Sequence, residues 1–539
     1  MRKKKLCLAL ATVMMLSLAA CGSKEQSKPM LDELGKDNGS YSNNSGQQTL
    51  DDLGYSGGDN FSAYDSYSDS DVVAPDFNTE EYDTIKENSF VKVGTQPLST
   101  FAADVDTGSY CNFRRMVQDD IRADEIPSGA LRTEEMVNYF DYEITDNSDK
   151  RFTVNSEIHP CPWNEENSLL VLKIKANEVP IVSSGNNFVY LIDTSGSMAE
   201  DSKIGLATDA FIALTKSLDD KDTVSVVTYA ADFDTIIEGS SNKNDIIEAI
   251  KEAEKRCKES GGGTNGSGGI DAAYEVAEKN FKEDGNNRVI IASDGDMNLG
   301  VTSNSGLVDL IEEKKESGVF LTTLGFGSGN YSDANMESIA DAGNGNYYYI
   351  DCLDEAKRVL CDKLMETTVT VAKDVKMQVE FNPNYVAEYR LIGYENRTIA
   401  ADDFEDDTKD GGEVGAGQQT VVCYELKLGD GNNGQDLKYQ EGSTLTDAAN
   451  SNELLTLSIN YKEPDGNSSQ TEDYPVFNSE GEMSEDFAFI SGVIETSLVL
   501  RDSDYKGTAT IDSAKKLAKQ GVGNDEYRVE FTKLLNNLE

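Results

Sequence analysis

One histidine, no CxxC pair and no apolar run long enough to span a bilayer beyond the N-terminus set the first limits on this 539-residue chain. A lone His159 argues against a Ser-His-Asp triad and against any metal site built from several imidazoles. In His159-Pro-Cys-Pro-Trp163 it reads as a strand-end residue rather than a catalyst. Without clustered Cys and His ligands a zinc site is not expected. Basic residues are scarce relative to acidic ones, 48 against 98, for a formal net charge of −50. Such a surface repels nucleic acid and anionic membranes, and it favours solubility and cation attraction. The acidity is spread along the chain, as on a solvated surface.

The N-terminus is the exception to this charge balance. Arg2-Lys-Lys-Lys5 precedes a short apolar core, Leu6 to Leu18, and then Leu18-Ala-Ala-Cys21-Gly. The core is too short for a membrane-spanning helix and fits a signal peptide over residues 1–20. The small residues before Cys21 match a bacterial lipoprotein signal, with cleavage before Cys21 and lipid on its thiol. Loss of the four basic residues takes the mature chain to about −54. Lipid chains would hold it at the outward face of a bacterial cell membrane, the only membrane contact expected. Six cysteines remain, at 111, 161, 257, 352, 361 and 423. An exported protein permits disulfides, but irregular spacing leaves their pairing open.

Residues 21–90 are rich in Ser, Gly, Asp, Asn and Tyr and poor in aliphatics. They cannot bury enough apolar surface to offset their ordering entropy, so they read as a disordered stalk. About 70 such residues reach roughly 45–50 Å. The similar segments Leu31-Asp-Glu-Leu-Gly35 and Leu50-Asp-Asp-Leu-Gly54 lie within it. An N-terminal flanking module follows at 91–183, with a strand at 97–105, a helix capped by Asp106 and running through about Gln118, a helix at 132–140, and strands at 151–159 and 168–176.

From 184 to 367 strands and helices alternate. Strands at 188–192, 224–229, 288–293, 319–325 and 346–350 are interleaved with helical patterns, the last over 353–366. One is marked by Ile204, Ala207, Phe211, Leu214 and Leu218. Such alternation implies a doubly wound α/β sheet with helices on both faces, and ligands at the carboxyl ends of its strands. The oxygen donors fall at those ends. Asp193-Thr-Ser-Gly-Ser197 follows the apolar run Phe188 to Ile192. Thr264 lies in Gly261-Gly-Gly-Thr-Asn-Gly266. Asp294 ends Arg288-Val-Ile-Ile-Ala-Ser-Asp. Two carboxylates and three hydroxyls without nitrogen or sulfur suit a hard divalent cation such as Mg²⁺, with Mn²⁺ or Ca²⁺ as alternatives. A competing reading has Asp193 and Ser195 only capping the next helix. Residues 368–480 form a β-rich domain with strands at 368–381, 387–392, 420–428 and 453–461. Three amphipathic helices, about 484–500, 510–519 and 525–537, occupy 481–539. Because two strands alone are marginal, 152–176 and 368–461 are expected to pair, with the α/β unit inserted between them.

The order Asp-x-Ser-x-Ser, Thr, Asp resembles the metal-ion-dependent adhesion site of von Willebrand factor type A domains. The positions are filled by Asp193, Ser195, Ser197, Thr264 and Asp294. The resemblance implies a Rossmann-like A domain, in which the serines and the Thr or Asp contact the metal directly or through water. It also implies a protein partner whose acidic side chain completes the shell. Further segments, among them Pro97 to Tyr110, Glu134 to Phe140, Leu324 to Asn330 and Tyr389 to Arg397, resemble the YfbK-like family of bacterial von Willebrand factor A lipoproteins from about residue 78 onward. The resulting expectation is a non-enzymatic, surface-anchored binding protein. Its alternatives are an envelope scaffold with a purely structural metal and an ancillary subunit of a metal-dependent enzyme complex. Gly325-Phe-Gly-Ser-Gly329 lacks the spacing of a dinucleotide loop. Asp502-Ser-Asp504 has Ser513 where a Ca²⁺ loop needs Glu. Tyr347-Tyr-Tyr349 reads as packing.

Overall fold

The computed structural model describes residues 82 and 84–538, apart from 104–105, 146–149, 178–183, 260–262, 296–299, 328–332, 365, 367–368, 407–408, 410, 432–444, 465, 467 and 479–480. The signal segment, Cys21 and all but the end of the stalk lie outside the described residues.

Strands from both ends of the chain share sheets. In chain order the first part supplies β1 (Val91–Lys92), β2 (Leu98–Ala102), α1 (Gly108–Gln118), α2 (Thr133–Asn138), β3 (Phe152–Cys161) and β4 (Asn164–Ala176). The alternating unit supplies β5 (Asn186–Asp193), α3 (Leu206–Ser217), β6 (Thr223–Tyr229), β7 (Phe233–Ser240), α4 (Lys243–Glu259), α5 (Gly266–Lys279) and β8 (Asn286–Ser293). It ends with α6 (Asn304–Lys315), β9 (Phe320–Phe326), α7 (Asp333–Ala342), β10 (Tyr347–Ile350) and α8 (Leu353–Lys357). Then come β11 (Thr370–Phe381), β12 (Val386–Ile392), β13 (Gly412–Gly415), β14 (Gln419–Leu428), β15 (Glu453–Lys462), β16 (Ser469–Phe477), α9 (Glu485–Leu500), α10 (Ile511–Gln520) and α11 (Glu526–Asn537).

The α/β unit has the strand order β10-β9-β8-β5-β6-β7, parallel except for β7 at the edge. Strand alternation sends Phe188, Tyr190 and Ile192 into one core and Val189 and Leu191 into the other. This is how a strand covered by helices on both faces reads as a continuous apolar run. All five residues of the Ile204 to Leu218 face are buried in the first of these cores. Tyr347, Tyr348 and Tyr349 are buried in β10, as packing requires.

The α/β unit is inserted in a β sandwich. One sheet has the order β1-β12-β14-β4-β3, and β14 pairs antiparallel with β4 through Thr420 opposite Ile174 and Leu426 opposite Ser168. The second runs β13-β11-β15-β16, with β2 also on β11. Leu170, Leu172 and Ile174 from the first sheet meet Val379, Phe381, Leu457 and Ile459 from the second. The alternate residues Leu169 and Val171 turn to a helical layer containing Phe113, Phe487, Phe489 and Phe531. Helix α9 is apolar almost all round and is buried on nearly every side, the environment such a sequence demands. Ser484 caps it, its hydroxyl accepting from the Phe487 N–H at 3.0 Å.

Two sequence expectations change. Asp106 does not cap α1; Thr107 holds that position without a side-chain cap bond. Asp106 instead accepts from the Tyr347 N–H at 3.2 Å and pairs with Arg397 at 3.2 Å, because tertiary partners outbid the local backbone. The helix expected over 353–366 is interrupted: it is α-helical to Lys357, passes through a π turn, Arg358–Asp362, and is helical again at Leu364 and Glu366. All six described cysteines are free thiols.

Candidate functional site

Four loops at the carboxyl ends of β5, β6 and β8 and the amino end of α5 are tied edge to edge. The Thr194 N–H donates to the Tyr229 carbonyl at 2.8 Å, joining the loops after β5 and β6. The Asn265 N–H donates to the Ala230 carbonyl at 2.7 Å, which brings in the Thr264 loop. Asn265 then caps α5, its side chain accepting from the Gly268 N–H. The Val301 N–H donates to Ser267 Oγ at 3.0 Å and so fastens the loop after Asp294 to the same helix start.

These ties bring Asp193, Ser195, Ser197 and Asp294 together and set the Thr264 loop beside them. Asp193 is fully buried at the end of β5. Its Oδ1 accepts from the Ser195 N–H at 2.9 Å, and its Oδ2 accepts from Ser293 Oγ at 2.9 Å. Ser195 Oγ and Ser197 Oγ lie 3.0 Å apart. The capping alternative for Ser195 is not what forms: it precedes the short turn Gly196–Met198 without a side-chain cap bond. Ser197 is half-buried, whereas Asp193, Ser195, Thr264 and Asp294 are buried, so Ser197 marks the solvent side. Asp294 is followed by Gly295 at φ 80°, a turn that an L side chain would strain. Thr264 is placed by its loop, beside the β6 end.

Three neighbours were not legible as site residues. Ser293, directly before Asp294, orients Asp193 and accepts from the Gly295 N–H at 3.0 Å. Cys257 donates its thiol to the Ser195 carbonyl at 3.4 Å. Lys203 reaches Asp294 Oδ2 with its ammonium at 3.0 Å. The only sequence signal for Lys203 was a charge one residue before the buried position Ile204.

Burial, and then the charge of Asp294, push the Asp193 carboxyl up to about 7, against the Ser195 and Ser293 hydrogen bonds that favour its anion. An ordinary Asp titrates near 3.9. Between about 4 and 7 the folded chain therefore holds a proton that the unfolded chain has lost. Its stabilising effect is complete below that window and disappears as pH rises through it. In EDTA, the urea midpoint should be lower at pH 8 than at pH 5.5, and Asp193→Asn should flatten this slope. An equal slope in the variant would contradict the assignment.

An all-oxygen set of two carboxylates and three hydroxyls fits a hard divalent cation. A second acidic group, Cys111 with Asp351 and Glu355, does not fit one. The Arg114 guanidinium already sits on Asp351 at 2.5 Å and Glu355 at 3.0 Å, supplying the positive charge there.

Parts of the chain match known family models. The family model described as "Uncharacterized protein YfbK, C-terminal" matches residues 366–539. The von Willebrand factor model matches 76–171, ahead of the α/β unit, and the von Willebrand factor type A domain model matches 188–296, which spans Asp193, Thr264 and Asp294. The uncharacterized protein YfbK of Escherichia coli (strain K12) is 38% identical over 479 residues, 85% of this chain and 80% of that one. Among solved structures, von Willebrand factor type A from Catenulispora acidiphila is 16% identical and covers 72% of this chain and 91% of that one, with a TM-score of 0.39. The ArnB paralog VWA2 from Sulfolobus acidocaldarius, also 16% identical, covers 72% and 96%, with a TM-score of 0.35.

Proposed function

The chain belongs to the family of the uncharacterized protein YfbK, and from that premise we propose that it binds a protein partner through a divalent cation. Asp193, Ser195, Ser197, Thr264 and Asp294 would hold the ion. The observation that carries this reading is the Asp193–Ser195–Ser197 arrangement. A buried carboxylate braces a loop that sets two hydroxyls 3.0 Å apart, the second of them facing solvent. A bound cation supplies a local positive charge on an acidic chain, where a partner's Asp or Glu would be attracted. The possession of a von Willebrand factor A domain supports a protein-interaction role.

Two of the site's neighbours are unsuited to catalysis. Burial pushes the Cys257 thiol up to about 12 and the Tyr229 phenol well above its ordinary value. Neither is a ready nucleophile or base near neutrality. Capture of a partner on immobilised protein from a cell-envelope extract should occur in Mg²⁺ and fail in EDTA. It should also fail with Ser195→Ala, whose circular dichroism should match that of the unsubstituted chain. Capture indifferent to both changes would sink the reading.

Anchoring belongs to the same proposal. Among the described residues no helix is long and apolar enough to cross a membrane. Lipid on Cys21 would tether the binding site outside a bacterial membrane, with the stalk as spacer. Cys21→Ser should move the protein out of the membrane fraction or block its processing. Partitioning into detergent like the unsubstituted chain would defeat the lipid anchor.

A further inference from the structure

Lys203 is a lysine buried at the heart of the site. Its side chain is 5% exposed, and its partner Asp294 is fully buried. The stem lies on the backbone of Gly327, in the loop that follows β9. A Cβ on that residue would stand 2.3 Å from Lys203 Cε and 2.8 Å from both Cδ and Cγ. Gly327 has φ +92°, and its carbonyl accepts from Tyr349 Oη at 2.7 Å, so the bare backbone under the stem is held in place. The lysine therefore runs over bare backbone to one of the two buried carboxylates.

We propose that Lys203 is an intramolecular competitor of the divalent cation, holding Asp294 when the ion is absent and yielding it when the ion binds. The inference rests on the divalent-cation reading above. Two carboxylates buried side by side are costly without positive charge. One ammonium offsets part of that cost and lets the domain fold without metal. A divalent cation on the same carboxylates would face a like charge within a few ångströms in a water-poor site, where repulsion is strong. Lysine suits exchange because its ammonium is a point charge on a flexible stem, unlike a guanidinium locked in a bidentate fork. The site is thereby tuned to release its ion.

The test is calorimetric titration of the full chain and of Lys203→Met with MgCl₂ and MnCl₂. Removing the competitor should tighten binding at least about tenfold and make thermal stability in EDTA fall while stability in Mg²⁺ is retained. Binding by the unsubstituted chain with equal or weaker binding by Lys203→Met overturns the inference alone. Absence of binding by both overturns the divalent-cation reading and the inference with it. If Lys203→Met does not fold even in Mg²⁺, amine acetylation of the unsubstituted chain decides. Acetylation at Lys203, read by peptide mass spectrometry, should rise several-fold when Mg²⁺ frees the ammonium, with other lysines as internal reference. Unchanged or reduced labelling overturns the competition.

Discussion

Arg114→Ala should lower the stability of the folded chain by about 3–5 kcal/mol, the cost of leaving buried charges without their partner. Arg114 stands on α1, in the first part of the chain. Its guanidinium reaches Asp351 between β10 and α8 with Nη2 on Oδ1 at 2.5 Å and Nε on Oδ2 at 2.6 Å. It also reaches Glu355 on α8 at 3.0 Å and Glu530 on α11 at 3.1 Å, and donates to Tyr139 Oη at 3.0 Å. Asp351 and Glu355 are 4% and 1% exposed, so water cannot replace the lost charge. Glu355 retains Arg358 at 3.2 Å, whereas Asp351 loses its bidentate partner. Burial alone would raise the Glu355 carboxyl, but Arg358 and Arg114 outweigh it and hold the group below its ordinary value. The urea midpoint measures the effect. Arg122→Ala is the control: its pairs with Asp124 and Glu125 are exposed, and its removal should change little. A difference under about 1 kcal/mol between the two variants would show that the Arg114 cluster does not join these elements.

Asp193→Ala should abolish Mg²⁺ binding, a loss of at least about a hundredfold in affinity. Asp193 is a candidate ligand and also braces the Ser195 backbone and receives Ser293. Its removal deletes a charge and frees the loop that carries two hydroxyls. The unsubstituted chain should gain on the order of 1–3 kcal/mol in stability at Mg²⁺ well above its dissociation constant, by mass action. The variant should gain nothing while keeping its circular dichroism. Undiminished affinity in Asp193→Ala would remove Asp193 from the ligand set.

The parts of this fold legible in the sequence were those whose own residues carry the signal. The Phe188 to Ile192 run, the Ile204 to Leu218 face and the three C-terminal helices declare themselves through apolar periodicity. The β7, β13 and β16 strands do not. β7 has no fully buried residue, β13 is four residues in a Gly- and Asp-rich stretch, and β16 alternates polar groups around Pro475 at a sheet edge. Each becomes a strand because a neighbour offers it a ladder, which is a tertiary fact. The pairing of 152–176 with 368–461 was legible for a different reason: two strands could not stand alone.

The candidate site divides in the same way. Its five oxygen donors were legible as a spaced motif. Ser293, Cys257 and Lys203 were not, because each acts through a partner distant in sequence: 100 residues separate Ser293 from Asp193, and 91 separate Lys203 from Asp294. Asp106 shows the converse error. A carboxylate beside a helix start reads as a local cap, but Arg397 takes it instead.

The measurement that bears most directly on the divalent-cation site is anomalous diffraction from crystals of the protein grown in Mn²⁺. One manganese peak per chain is expected, bonded to Ser195 Oγ and Ser197 Oγ and within direct or water-mediated reach of Asp193, Thr264 and Asp294. No peak there, or a peak only at Cys111, Asp351 and Glu355, would contradict it.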